Sequence, residues 1–87
     1  MAMTDDERTT LVDIAVRDAA GTDTQLEYDW YLAAYQRGEI TDDLVTYART
    51  VYDWTGLPDS LRGRALDKLT YDALTYLVTT ATAVGVA

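Results

Sequence analysis

The sequence predicts an all-α fold, a single small domain of about four helices with a long C-terminal helix, and three observations carry that expectation. Apolar residues recur at spacings of three and four along most of the chain, helix-start and helix-stop signals bracket each such stretch, and no apolar–polar alternation persists long enough for a strand. The chain has 87 residues, 48% of them hydrophobic, which suits one domain over 1–87 with a small core. Domains of this size often gain stability by association, so a partner subunit is the default expectation.

The first helix is expected to begin at Thr4, because Glu7 three places on completes a capping box and Asp5, Asp6 and Glu7 stand at the positive end of the helix dipole. Leu11, Ile14, Ala15, Asp18 and Ala19 define its face, Val12 and Val16 widen it, and Gly21 supplies the stop. Two start signals follow, Thr22 with Gln25 and Thr24 with Glu27, ahead of the aromatic segment QLEYDWYLAAYQR. Leu26, Trp30, Ala33 and Ala34 form one stripe there and Tyr28, Tyr31 and Tyr35 an adjoining one, so this second helix must contact more than one neighbour before Gly38 ends it.

Ile40, Thr41 and Val45 stand as a hydrophobic staple around an N-cap, and the third helix is expected from about Asp42 to Trp54. It should bury Leu44, Ala48 and Val51, with Tyr47 and Trp54 beside them. Gly56 and Pro58 in TGLPDS then read as a helix stop and a new start, since glycine accepts the left-handed conformation and proline suits the opening of a helix. From Pro58 or Asp59 a helix of about 25 residues repeats Leu61, Ala65, Leu69, Ala73, Leu77 and Ala81 every fourth position, joined by Leu66, Leu74 and Val84. Threonines and valines thicken towards its end, so residues 79–87 are expected to fray, extend or serve as a docking tail. The linkers are expected to be only two to four residues long, placing consecutive helices side by side.

Composition excludes more than it assigns. There is no cysteine and no histidine, which removes disulfides, thiolate zinc sites, the commonest metal ligand and the usual general base together. Adjacent acids such as Asp5/Asp6 and Asp42/Asp43 point apart on a helix and make poor two-carboxylate sites. No catalytic residue, cofactor or metal is therefore expected. No run of 18 apolar residues occurs and no basic region precedes an apolar run at the N-terminus, so neither membrane spanning nor secretion is expected.

The net charge is −8, made of twelve Asp and three Glu against six Arg and one Lys, with fourteen Thr. That balance fits a protein adapted to molar salt, where screening over about 3 Å removes the self-repulsion of a carboxylate surface. An ordinary acidic protein is the alternative. Residues 1–43 hold eleven acids and three bases while residues 44–87 hold four of each. The acidic half reads either as a surface that repels polyanions and meets basic partners or as capping acids on a solvated face.

Two groups of residues are candidates for protein contact. Trp30, Tyr31 and Tyr35 belong to an aromatic set of two Trp and seven Tyr without Phe, a choice that suits half-exposed positions at subunit contacts or a core whose hydroxyls reach water. Arg62, Arg64 and Lys68 form the one basic cluster, at the start of the long helix. They can pair locally with Asp67 or Asp72, meet an acidic neighbour, or contact phosphates, although the chain lacks the positive footprint of a DNA reader.

Residues 41–78, TDDLVTYARTVYDWTGLPDSLRGRALDKLTYDALTYLV, resemble the small helical head-to-tail adaptor, or connector, proteins of tailed viruses. The resemblance lies in the LxxxA spacing of Leu44 and Ala48, in the aromatic followed by Thr-Gly at Trp54 to Gly56, in the restart at Pro58, Leu61 and Ala65, and in the closing pair Tyr76 and Leu77. It implies a structural virion protein that forms a homo-oligomeric ring between portal and tail and binds portal and other neck or tail proteins. It further implies a channel through which DNA passes without specific binding, and a chain end at Val84, Val86 and Ala87 that docks on the portal. With the salt-adapted composition, the virus would infect a halophile and the protein would reside in the virion neck. The alternative is a small cytoplasmic interaction or regulatory protein of a halophile, antitoxin-like in kind.

Overall fold

The computed structural model describes residues 3–83, and beyond Thr75 only the backbone path of the last helix. Among the described residues there are four helices and no strand: α1 (Asp5–Ala20), α2 (Gln25–Gln36), α3 (Asp42–Thr50) and α4 (Asp59–Ala83). The all-α architecture expected from periodicity is thus the one adopted, as a single small globule.

The helix starts are set by local chemistry. The Thr4 side chain accepts from the Glu7 amide at 3.2 Å while the Thr4 amide donates to Glu7 Oε1 at 3.0 Å. Thr24 and Glu27 repeat the arrangement at 3.1 and 3.0 Å, so Thr24 rather than Thr22 opens α2. Each reciprocal pair satisfies amide donors that a helix start otherwise leaves unbonded. Gly21, at φ 74°, closes α1 in the left-handed conformation, and the Thr22 amide reaches back to Arg17 O at 2.8 Å, a Schellman closure. The staple also forms, with Ile40 and Val45 both buried around Thr41, though the Thr41 side chain makes no capping bond.

α1 is the hub, packing on α2, α3 and α4, while α3 also lies against α4. Its Leu11, Val12, Ile14, Ala15 and Val16 are buried against Ala34 of α2, Leu44 and Ala48 of α3, and Leu61, Ala65, Leu69 and Ala73 of α4. The every-fourth-residue line of α4 therefore enters the core as the spacing predicts, through Ala73. Leu77 and Ala81 continue the pattern among side chains outside the description.

Three expectations need correction. α3 stops at Thr50, not Trp54, and Val51 is 61% exposed instead of buried. The competing contacts are polar: Trp54 Nε1 donates to the Ala48 carbonyl at 2.7 Å, and the Tyr52 hydroxyl donates to Asp13 on α1. The indole thereby satisfies a carbonyl left free at the helix end, and both rings pack beside the core, where a further helical turn would carry them elsewhere. Gly56, at φ 85°, consequently serves the Trp54–Leu57 turn rather than the end of α3, with Leu57 N donating to Trp54 O at 3.0 Å. The connection from α3 to α4 is eight residues, longer than expected, because it is anchored by these side chains rather than drawn tight. α4 spans Asp59–Ala83, the 25 residues that the spacing predicts, and residues 84–87 of the expected tail lie outside the described residues.

Candidate functional site

Between α1 and α2 lies an open, mainly apolar groove of about 500 Å³. Thr10, Ile14 and Arg17 form its α1 wall; Leu26, Glu27, Asp29, Trp30 and Ala33 form its α2 wall. The periodicity of α2 explains the groove. Its apolar residues cover more of the circumference than its neighbours in this chain can bury, so Tyr31 and Ala34 turn inward while Leu26 and Trp30 stay 80% and 40% exposed. Exposing large side chains in this way loses the transfer free energy that a covering surface would recover, roughly 25 cal/mol per Å².

One end of the groove is fixed by charge. Arg17 forms a salt bridge to Glu27, the same carboxylate that closes the α2 capping box through the Thr24 amide. The Thr24 backbone bond first, and the Arg17 contact second, hold the Glu27 carboxyl below the usual carboxylate range. This links the start of α2 to the last turn of α1, while Arg17 Nε is buried without a hydrogen-bond partner.

On another side of α2, Lys68 clasps three helices. Its Nζ lies 3.4 Å from Asp18 Oδ2, 3.3 Å from Asp72 Oδ2 and 4.7 Å from the centroid of the Tyr31 ring. The Tyr31 hydroxyl donates to the same Asp72 oxygen at 2.6 Å. Burial and then this carboxylate push the Tyr31 hydroxyl far above its ordinary pKa. Nearby, burial with the Asp18 carboxylate alongside raises the Asp23 carboxyl.

The residues singled out from sequence therefore separate. Trp30 lines the groove, whereas Tyr31 is 4% exposed and belongs to the core, its hydroxyl satisfied internally instead of offered to a partner. Tyr35 is half-buried beside the same core. The basic cluster does not act as one surface: Lys68 is tied to α1 and α2, Arg62 stacks over Trp54 at 5.4 Å, and Arg64 is exposed. Local pairing of Lys68 with Asp72 was among the pairings the sequence suggested; that with Asp18 was not, since nothing in sequence places α1 opposite α4 at that level. Val84, Val86 and Ala87 lie outside the described residues.

Leu74, expected to join the apolar line of α4, instead stands 60% exposed, because its position lies across the helix from Leu61, Ala65, Leu69 and Ala73; the exposure of Leu26 and of Tyr71, 68% exposed on α4, had no signal in the sequence. Among the described residues no cluster of acids is disposed to hold a metal ion, and no helix is long and apolar enough to cross a membrane. No protein-family model matches the chain, and no curated protein or solved structure matches it either.

Proposed function

We propose that this chain is a structural assembly subunit without enzymatic activity, a head-to-tail adaptor that forms a ring between the portal and tail of a virus infecting a halophile. The observation that carries the reading is the uncovered apolar groove between α1 and α2, with Leu26 and Trp30 presented to a neighbour. Further support comes from the resemblance of residues 41–78, which here span α3, the anchored turn and most of α4. The acid excess of residues 1–43 suits a subunit beside a DNA passage, because like charge keeps a polyanion from adhering.

Mass photometry in molar KCl, on this chain alone and mixed with portal protein of a tailed virus of a halophile, tests the reading. A ring-sized particle, formed alone or on the portal, is expected. A monomer or dimer at every concentration in both conditions overturns it. Melts followed by circular dichroism from low to molar KCl test the salt adaptation separately, and an unchanged midpoint would remove it.

A further inference from the structure

We propose that the α1–α2 groove of one copy receives the outward face of α4 from a second copy, joining identical subunits head to tail. The inference rests on the ring reading above and gives that ring its contact surface.

Both halves of such a contact are present on one chain. Tyr71 and Leu74 are three residues apart on α4 and exposed, so they form neighbouring apolar projections on one helix face. Arg64, also exposed, precedes Tyr71 by seven residues and so lies on the same face two turns earlier. This stripe lies opposite the buried line of Leu61, Ala65, Leu69 and Ala73. The groove opens elsewhere. Tyr31 turns from α2 towards Asp72 of α4, whereas Trp30 and Ala33, on another face of α2, line the groove. A contact between two different surfaces is heterologous, and repeated heterologous contacts close into rings where the rotation permits.

Charges brought into contact at a buried interface, where molar salt screens far less than across open solvent, select this pairing over groove against groove. Residues 4–36, the α1–α2 hairpin, carry eight acids and two bases, so two hairpins face to face would set like charges together. Residues 44–87 carry four acids and four bases. The outward face of α4 carries Arg64 and Asp67, both exposed, and so approaches the acidic hairpin with no net charge, Arg64 bringing a cation to the rim at Asp29 and Glu27.

Because the chain contains no cysteine, introduced thiols report on the contact without background. Leu26→Cys and Leu74→Cys proteins, each checked for native helicity by circular dichroism, are oxidised in molar KCl separately and mixed; Leu26→Cys with Tyr71→Cys is a second pair. The mixtures are expected to give a disulfide-linked dimer that neither protein gives alone, and the Leu26→Cys/Leu74→Cys double variant a ladder of multiples. Self-linking of Leu26→Cys alone would show groove against groove and overturn the inference. Ring-sized particles with neither mixture cross-linked would overturn it while leaving the ring intact. Monomers alone in mass photometry would sink the ring and its contact together. So would a monomer whose tryptophan emission shifts only on adding a Lys/Arg-rich amphipathic helical peptide, in Trp54→Phe but not in Trp30→Phe, which would give the groove to a foreign partner.

Discussion

The seam between α1 and α4 and the groove between α1 and α2 are built on the same helix from similarly apolar residues, yet one is sealed and the other open. In the seam, Leu11 and Leu69 alternate with Ala15, Ala65 and Ala73, and every one of these is buried to within about 1%. Small residues let the helices approach and large ones fill what remains. Along the groove, Leu26 and Trp30 stand on a helix whose inward positions are already taken by Tyr31 and Ala34. Apolar character alone thus does not decide burial; the supply of opposing surface does.

The comparison can be broken most directly at Leu69, which is fully buried in the seam. Leu69→Ala is expected to cost about 2–5 kcal/mol in denaturant unfolding in molar KCl, from lost transfer energy and the cavity left behind. Ala65→Leu should cost about 1–3 kcal/mol in the same assay, because a larger side chain forces the close-packed helices apart. If the seam accepted leucine without loss, its tight packing would be disproved.

At the base of the groove the expected effects are smaller. Thr24→Ala removes the side-chain half of the α2 cap, the bond from the Glu27 amide, and should cost about 1 kcal/mol. The carboxyls of Glu7 and Glu27 are held below their ordinary range chiefly by the Thr4 and Thr24 amides. Their contribution is present above the unfolded value of about 4.3 and lost as pH falls through the lowered folded values. Unfolding free energy should therefore decline below roughly pH 4.3, and with nearly the same slope in Thr24→Ala, whose alanine keeps the backbone amide that donates to Glu27. Smallest of all, Leu26→Ser should change the stability of the isolated chain by no more than about 0.5 kcal/mol while reducing assembly. A cost equal to that of Leu69→Ala would mean the groove wall belongs to the core.

Much of this arrangement is legible in the residues themselves. Thr4 with Glu7, Thr24 with Glu27, Gly21, and Ile40 with Val45 are local signals acting over a few residues, and each operates as its spacing implies. The end of α3 was not legible, because it depends on the Tyr52 hydroxyl finding Asp13, 39 residues earlier, and on the Trp54 indole finding Ala48 O. Burial of Tyr31 was hidden for the same reason, since Asp72 lies 41 residues away. The groove itself was half legible. The breadth of the apolar face on α2 announced that something must cover it, whereas which stripe would be left uncovered follows only from how α1 and α4 flank that helix.

Lys68 is the single lysine of the chain, and its amine is engaged by Asp18 and Asp72 beneath the Tyr31 ring. Side-chain acylation by amine-directed dyes, biotinylation reagents or activated surfaces would consequently strike the fastening of three helices. A tagged preparation of this protein would report its own damage, and conjugation through an added cysteine is the sounder route for immobilising it.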